Sequence, residues 1–501
     1  MMNDERLEIP ALLNLIDDIQ RLGLSDQFDN DIKSSLNKLA CDIDVLNLDL
    51  RATALLFRIL RQNDIWISQD EFERFKDDDG NFMESLGNDV EGMLNLYEAS
   101  HSALEGEGLL DEAKTFAMKH LHDQIRTNEK GSLANHAMET LELPRQYRSP
   151  WVEARRFMET YLQDEINPKA RDTQALLELA KLNFNMVQSM HRNELQEMSK
   201  WWKGTGLASK LTFSRDRLPE AVFFTISVAH KPELCKCRKA LTKVVKFIAL
   251  IDDIYDVYGH LDELEAFTSA IERWDINTID GLPEYMRLAF LALYNTVNEL
   301  GYEILKEKGR NCIPFLRKSW ENMCKAFLVE ARWYYKGHTP TYEEYLNNGW
   351  VSSSGPLLLT HSYLLASPSI TTEGLDCLFN NHDLLRLPSI IFRLANDLAT
   401  SEAELERGET INAMSSYAKE AGVSLEDARE HMKKLIDESW KGLNRIRASN
   451  SNETTAFSDD FVEIAINLTR TVQCIYQRGD GFGSPDLIKK RVLSLVLEPV
   501  Q

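Results

Sequence analysis

The chain is short of basic residues. It has 57 Lys and Arg against 79 Asp and Glu, a formal net charge of −22, and this surplus of negative charge repels nucleic-acid backbones and anionic lipid surfaces. We therefore expect neither nucleic acid nor a membrane as a partner. An anionic substrate would need a local source of positive charge, either clustered arginines or a metal ion held by the surplus carboxylates.

Long apolar runs and paired cysteines are also lacking. No run approaches the roughly 18 apolar residues that a membrane-spanning helix needs. The seven cysteines are odd in number and show no zinc or redox spacing, so we interpret them as thiols in a reducing compartment. Neither a signal peptide nor a transit peptide is visible in the first residues. The pattern favours a cytosolic protein or one from which a targeting segment has been removed.

Glycine, proline and alternating strand patterns are scarce. The chain has 23 Gly and 14 Pro among 501 residues, and its apolar residues recur at helical spacing, as they do across residues 54–60. A capping hydroxyl precedes a carboxylate by three residues at Ser68, Thr341 and Ser424, which marks helix starts. We therefore predict an all-α fold.

The length of the chain favours more than one helical domain. The most linker-like stretches are Asn167–Thr173 and Ser449–Ser458, and no short internal repeat is present. We predict an amino-terminal domain over residues 1–175 and a second domain over residues 176–501, with the chemistry in the second.

A first cluster of carboxylates follows a buried helix. Residues 244–251 are almost entirely apolar, and Asp252, Asp253 and Asp256 come directly after them. On a helix, Asp252 and Asp256 lie one turn apart on the same face, while Asp253 is turned away by about 100°. Alone, the cluster would favour a solvated acidic helix end. The apolar run in front favours a buried site for a divalent cation such as Mg²⁺.

A second row of oxygen ligands also follows an apolar stretch. Asn396, Thr400 and Glu404 are spaced at i, i+4 and i+8, a row about 12 Å long on one helical stripe. An amide, a hydroxyl and a carboxylate without His or Cys suit Mg²⁺ and disfavour zinc. Alone, this row is also consistent with a capped, charged surface face.

Three arginines supply the positive charge that the composition otherwise lacks. Arg215 and Arg217 flank Asp216, and Arg393 lies about one turn before Asn396. Guanidinium groups bind phosphate through two parallel hydrogen bonds. Each arginine alone could be an ordinary surface ion pair, but their combination with the two carboxylate motifs favours binding of a phosphate group.

These motifs together resemble those of plant terpene synthases of the class I, ionisation-initiated kind. Residues 252–259 are similar to the family's aspartate-rich motif, Asn396 to Glu404 to its second metal motif, and Arg215 to Arg217 to its arginine pair. Residues 96–101 and 151–157 resemble segments of its amino-terminal domain. The resemblance implies two helical domains, a relic α-barrel domain that acts as a scaffold and a carboxy-terminal α-bundle that carries catalysis.

The resemblance also implies roles for individual residues. Asp252 and Asp256 would hold two of three Mg²⁺ ions, with Mn²⁺ as an alternative metal, and Asn396, Thr400 and Glu404 would hold the third. Asp253 would mainly order its helix next to the substrate. The diphosphate would be gripped by Arg215, Arg217 and Arg393, with help from Arg407.

An allylic cation requires a dry, aromatic-lined cavity. The candidate wall residues are Phe224, Trp320, Ser352, Ser353, Ser354, Tyr476 and Phe482, with Asp480 near the mouth. Each aromatic residue taken singly could equally be core packing. Phe224 stands where this family often has Trp, which leaves product cyclisation open.

The amino-terminal half contains no D-x-D-D acid motif, and we interpret Asp17-Asp18 and Asp77-Asp78-Asp79 as structural. The tandem arginine and Trp element common among relatives that cyclise ten-carbon substrates is absent. Either the chain has been shortened, or it belongs with relatives that lack the element and release acyclic alcohols.

The leading hypothesis is a monoterpene synthase that converts geranyl diphosphate, with linalool as the expected product. The alternatives are a cyclic monoterpene synthase of the limonene or cineole type, a sesquiterpene synthase using farnesyl diphosphate, a chain-elongating prenyltransferase and a non-catalytic helical scaffold. The prenyltransferase requires a second D-D-x-x-D motif, where this chain has Asn396-Asp397-x-x-Thr400. By family analogy we expect a monomer or weak homodimer in the plastid stroma, with the cytosol as the alternative.

Overall fold

The computed structural model describes residues 8–42, 48–127, 132–163, 170–407, 411–450, 456–484, 486 and 488–501, without the side chains of residues 42, 132, 161–163, 170–173, 402–407 and 450. Within these ranges the secondary structure is helical. Extended pairing is limited there to two isolated bridges, Lys76 with Phe82 and Gln477 with Gly479. The prediction of an all-α fold is confirmed.

One compact unit comprises Met1–Met186, Trp440–Thr454 and Val500–Gln501. Its helices are α1 Ile9–Arg21, α2 Asp29–Asp42, α3 Leu50–Gln62, α4 Val90–Ser100, α5 Gly108–Thr127, α6 Ser132–Glu142 and α7 Pro150–Gln163, followed by the first half of α8 Ala170–Thr205. Phe57, Phe72, Met93 and Tyr97 belong to a buried cluster that joins α3, α4 and α5. The apolar residues predicted to recur at helical spacing across residues 54–60 are buried.

The Asp17 side chain is a structural ion-pair residue of this first unit. It accepts a hydrogen bond from Nη2 of Arg58 at 2.8 Å and forms an ion pair with Arg145. Burial raises the pKa of Asp17, but the two arginines more than offset it and hold that pKa well below its usual range. Asp77 accepts hydrogen bonds from the amides of Asp79 and Asn81 and therefore forms a turn.

The second compact unit comprises Val187–Ser439 and Thr455–Pro499. It contains the end of α8, then α9 Leu207–Lys210, α10 Leu218–Val228, α11 Cys235–Asp253, α12 Leu261–Arg273, α13 Glu284–Lys308, α14 Ile313–Lys336, α15 Tyr342–Ser352, α16 Gly355–Ala366, α17 Thr372–Phe379, α18 Asp383–Arg407, α19 Ala413–Ala421, the start of α20 Leu425–Asn450, α21 Asp459–Ile475 and α22 Lys489–Val492. The predicted domain boundary near residue 175 stays a prediction.

The predicted helix starts have the expected chemistry. Thr341 and Glu344 form a capping box at α15, and Ser424 with Asp427 forms the same reciprocal pair at α20. Ser68 caps a 3₁₀ helix, Gln69–Phe75, in place of an α-helix. In the part of the chain that the structure covers, no helix is both long and apolar enough to cross a bilayer.

The two metal motifs differ in backbone geometry. Asn396 and Thr400 lie on the regular helix α18, as predicted. The helix α11 ends at Asp253, however, and Ile254–Tyr258 forms a π-helical turn that contains Asp256. The expectation of one continuous α-helix from Asp252 to Asp256 is therefore wrong. Such turns often occur at functional sites.

Candidate active site

One cavity of the second unit, of about 280 Å³, lies between α10, α11, α14, α15, α16, α18 and α21. It is lined by Arg215, Phe224, Val245, Ile248, Ala249, Asp252, Asp256, Phe327, Glu330, Ser352, Ser353, Ser354, Leu358, Phe392, Arg393, Asn396, Thr400, Ile475, Tyr476, Asp480, Phe482 and Gly483. The cavity thus brings together ligands from both metal motifs. It also contains most of the predicted wall residues.

Arg215 is fixed against the aspartate-rich end of α11. Its Nη2 donates to Oδ2 of Asp252 at 2.6 Å, and its Nε donates to Oδ1 of Asp253 at 2.6 Å. Asp253 is 2% exposed and is not among the lining residues. Asp253 therefore orders the arginine, while Asp252 faces the cavity.

Asp256 faces the cavity, where the positive charges of Arg393 and Arg215 compensate it only in part. Among the residues that the structure describes, its carboxylate has no hydrogen-bond or ion-pair partner. Although Asp256 reaches the cavity surface, the walls restrict its solvation, and this burial raises its pKa well above the ordinary value. The carboxylates of Asp252 and Glu330 raise it further. A bound divalent cation would relieve this unfavourable charge.

Glu330 is a third carboxylate of the cavity and comes from α14. Its Oε1 accepts hydrogen bonds from Oγ of Ser352 at 2.6 Å and from Nδ2 of Asn348 at 3.1 Å. Burial raises the pKa of Glu330, while Arg393 lowers it. Sequence reasoning missed this residue because no motif surrounds it. Only the packing of α14 against α15 brings it to the site.

The second motif presents two neutral oxygens to the same cavity. Asn396 and Thr400 both line it, and Oγ1 of Thr400 also donates to the backbone oxygen of Asn396 at 3.0 Å. Arg393, one turn earlier on α18, lines the cavity and donates to Oδ1 of Asn396. The predicted ligand Glu404 and the predicted helper Arg407 have side chains outside the described residues. Their roles stay predictions.

The apolar wall of the cavity is aromatic on one side. The ring of Phe392 lies 6.4 Å from that of Phe224 and 6.2 Å from that of Tyr476, measured between centroids. Val245 and Ala249 lie seven and three residues before Asp252, so they share its helical face and form the wall below the carboxylates. Phe392 lies four residues before Asn396 on α18 and therefore shares its helical face. Helical periodicity could have identified all three.

A sharp break between α15 and α16 places the predicted serines. Ser354 has a φ of 66°, in the left-handed region that a residue with a side chain rarely adopts. Its conformation turns the chain so that Ser352, Ser353 and Ser354 all face the cavity. They provide a polar edge beside Glu330.

Besides Asp253, two further predicted residues do not line the cavity. Trp320 is fully buried and packs edge-on against His361, so its prediction as a wall residue is wrong. Arg217 donates to the backbone oxygens of Phe482 and Gly483 at 3.3 and 3.0 Å. It therefore supports the segment that carries Asp480 and Phe482, and in this structure it is not part of the wall.

The donor set can be tested for its fit to a metal. Within the described ranges, no group of three or more His, Cys, Asp and Glu side chains is close enough to form a complete metal site by itself. The cavity offers instead paired carboxylates on one side and an amide with a hydroxyl on the other. Such a partial oxygen set suits Mg²⁺, which keeps several waters and takes further ligands from substrate phosphates.

Oxygen ligands and arginines at one end and an apolar wall at the other are the arrangement expected of a metal-dependent enzyme that acts on the diphosphate ester of a hydrocarbon.

Comparison with known proteins supports this interpretation of the cavity. Residues 203–442 match the metal binding domain of the terpene synthase family, and residues 1–141 match the terpene synthase N-terminal domain. A chloroplastic isoprene synthase from Populus tremuloides is 47% identical, with 100% of this chain and 83% of that protein covered. A chloroplastic myrcene synthase from Quercus ilex is 44% identical, with 97% and 81% covered.

A solved structure extends the comparison to three dimensions. It is the crystal structure of isoprene synthase from grey poplar leaves, Populus x canescens, in complex with three Mg²⁺ ions and dimethylallyl-S-thiolodiphosphate. It matches with a TM-score of 0.94 and 46% sequence identity, and the match covers 100% of this chain and 94% of that one. The chain belongs to the terpene synthase family.

Proposed function

We propose that this terpene synthase ionises geranyl diphosphate and releases an acyclic monoterpene, with linalool as the leading candidate product. The observation that carries the proposal is the cavity itself, in which Asp252, Asp256, Asn396 and Thr400 meet above an apolar wall. Val245 lies seven residues, or about 10 Å, along α11 from Asp252. This depth is comparable to an extended ten-carbon chain.

The metal ligands are divided between two helices. Asp252 and Asp256 would hold two Mg²⁺ ions, and Asn396, Thr400 and Glu404 would hold a third, as the complex of the grey poplar enzyme with three Mg²⁺ ions suggests. When bound, the ions would neutralise the negative charge that develops on diphosphate as the carbon–oxygen bond breaks. The raised pKa of Asp256 supports a cation at this position.

The arginines and the wall have separate tasks. Arg215 and Arg393 hold their guanidinium groups at the cavity before substrate binds. These groups therefore need little reorientation as negative charge develops on the diphosphate. The apolar wall excludes water and presents aromatic faces to the allylic cation. Cleavage yields diphosphate and the cation. One water that adds to the cation and loses a proton gives the alcohol, whereas direct proton loss gives a hydrocarbon.

A second candidate substrate is dimethylallyl diphosphate. It is favoured by the similarity to isoprene synthases and by the dimethylallyl analogue in the grey poplar structure. The similarity to a myrcene synthase, named for an acyclic ten-carbon hydrocarbon, supports geranyl diphosphate. The cavity of about 280 Å³ lies just below the about 300–1,000 Å³ of ligand pockets, which disfavours the fifteen-carbon substrate.

The test is a substrate panel. The purified chain is incubated with Mg²⁺ and, separately, with dimethylallyl, geranyl and farnesyl diphosphate, and both volatiles and released diphosphate are measured. We expect kcat/KM to be highest for geranyl diphosphate and the product to be acyclic. A preference for the five-carbon substrate would replace the proposal with isoprene synthesis, and a cyclic product would contradict the acyclic assignment.

The compartment and oligomeric state follow only by analogy. Several relatives are named as chloroplastic enzymes, which supports the plastid as the compartment. We propose a monomer or weak homodimer. Immunodetection of the protein in fractionated plastids, and light scattering of the purified chain, would test these two proposals.

A further inference from the structure

Asp397 directly follows the ligand candidate Asn396, yet its side chain is turned away from the cavity. It is 1% exposed and is not among the lining residues. Its Oδ1 lies 3.0 Å from Nε of Arg393, while its Oδ2 accepts hydrogen bonds from the Tyr345 hydroxyl at 2.8 Å and the Ala413 amide at 2.9 Å. One carboxylate therefore joins α18 to α15 and to the start of α19.

The aspartate-rich motif has a carboxylate with the same pattern of partners. Oδ1 of Asp253 accepts from Nε of Arg215 at 2.6 Å, and its Oδ2 accepts from the Arg215 amide at 2.8 Å and from the Ser214 hydroxyl at 2.9 Å. Nη2 of Arg215 then reaches Oδ2 of the preceding residue, Asp252. This carboxylate thus fixes both the arginine and the loop that carries it.

The two arrangements correspond closely. In each, one carboxylate oxygen lies beside the Nε of an arginine, as a hydrogen-bond acceptor in Asp253 and as an ion-pair contact at 3.0 Å in Asp397. The other oxygen accepts from one hydroxyl and one backbone amide in both. Nη2 of Arg393 also donates to the preceding residue, Asn396, as Nη2 of Arg215 does to Asp252. Two separate stretches of sequence thus place a buried carboxylate next to a candidate ligand of the cavity, and each carboxylate pairs with an arginine.

This support has a physical consequence for anion binding. An arginine side chain loses rotamer entropy when it is held in one place. A buried carboxylate that pairs with the guanidinium group limits its orientations before a diphosphate arrives. With a neutral acceptor in its place, Arg393 would be drawn toward the carboxylates of the cavity that already act on it electrostatically, those of Glu330, Asp252 and Asp256.

We propose that Asp397 is a positioning residue, which orients Arg393 for the diphosphate and ties the first turn of α19 to the metal-binding helix. It is the counterpart of Asp253 at the other motif. The inference rests on the proposed function, because it assumes that Arg393 binds a diphosphate. A purely structural role would predict lower stability alone.

The experiment compares Asp397→Asn with Tyr345→Phe in the full chain. Asp397→Asn removes the negative charge and places an amide NH₂ group among the donors that now face the carboxylate. Tyr345→Phe removes one hydrogen bond to Asp397 and keeps its charge. Binding of inorganic pyrophosphate with Mg²⁺ is measured by calorimetry, amide exchange at residues 411–421 by mass spectrometry, and KM and kcat with the prenyl diphosphate. The melting temperature is recorded for each variant.

We expect Asp397→Asn to weaken pyrophosphate binding by about 10–100-fold, the range seen when residues that orient a metal ligand are changed. KM should rise with it, and exchange at the Ala413 amide should accelerate. Tyr345→Phe should change pyrophosphate affinity by less than about threefold, close to the effect of one neutral hydrogen bond. Asp253→Asn should follow the pattern of Asp397→Asn, with faster exchange in the loop around Ser214.

Each other outcome has a defined meaning. Equal pyrophosphate affinity in the wild type and Asp397→Asn, with only a lower melting temperature, overturns the inference and leaves the proposed function intact. Should Asp397→Asn not fold, Asp397→Glu keeps the charge but displaces it, and wild-type affinity in that variant also overturns the inference. A wild-type chain that binds no pyrophosphate with Mg²⁺ contradicts the proposed function itself.

Discussion

Replacing Val245 with Phe tests the depth of the cavity directly. Val245 is 5% exposed and lines the cavity two turns below Asp252. The exchange adds four carbon atoms where the far end of a ten-carbon chain would lie, nearly the five carbons of one prenyl unit. At about 0.8 kcal/mol per buried carbon, five carbons contribute about 4 kcal/mol, or about 10³-fold in kcat/KM.

We therefore expect Val245→Phe to lower kcat/KM for geranyl diphosphate by up to about 10³-fold and to leave that for dimethylallyl diphosphate within a few-fold. The assay is gas chromatography of volatiles from both substrates at matched enzyme concentration. Val245→Ile is the graded control, and its kcat/KM for geranyl diphosphate should lie between those of the wild type and Val245→Phe. The affinity for pyrophosphate should stay at the wild-type value in both variants. An unchanged ratio of the two kcat/KM values would refute the reasoning, because Val245 would then not limit the substrate.

Three further perturbations address the metal site and the fold. Asp256→Asn should lower kcat by about 10²–10³-fold, the cost of removing one group that stabilises developing charge, without lowering the melting temperature of the metal-free protein; a cooperative loss of structure would contradict this. Chelation with EDTA should abolish turnover, Mg²⁺ or Mn²⁺ should restore it, and restoration by Zn²⁺ alone would oppose an oxygen-ligand site. Burial lowers the pKa of His361 to about 4, so the folded state binds fewer protons than the unfolded state between about pH 6.5 and pH 4. His361 alone should therefore contribute a loss of about 3 kcal/mol of stability as the pH drops through that window. His361→Gln should make the denaturation profile shallower by that amount, and the remaining slope should come from other buried histidines such as His136 and His230, whose pKa values burial also lowers.

The sequence was sufficient where a local pattern determines the structure. Helical periodicity and capping pairs such as Thr341 with Glu344 predicted the fold class, because both act within a few residues. The same holds for the row from Asn396 to Thr400, whose face follows from the regular geometry of α18. Convergence of the two motifs was an expectation from family resemblance, and the cavity brings their described ligands together.

The sequence was insufficient where tertiary packing decides. Glu330 has no flanking motif and reaches the site through the packing of α14. Trp320 lies on the same helix but faces the core, and nothing in its sequence neighbourhood distinguishes it from the aromatic residues that do line the cavity. The π-helical turn at Asp256 could not be read from its composition, which is compatible with a continued α-helix. Two of the partners of Asp397, Ala413 and Tyr345, lie 16 and 52 residues away along the chain, so no local pattern indicates them.

The most direct test of the central claim is release of inorganic diphosphate from geranyl diphosphate by the wild type and by Asp252→Ala, with and without Mg²⁺. The account predicts rapid release that requires Mg²⁺ in the wild type, and almost none from the variant despite an unchanged helical circular dichroism spectrum. Release that is independent of the metal, or equal in the two proteins, would contradict the claim that the helices α11 and α18 form one metal-dependent site.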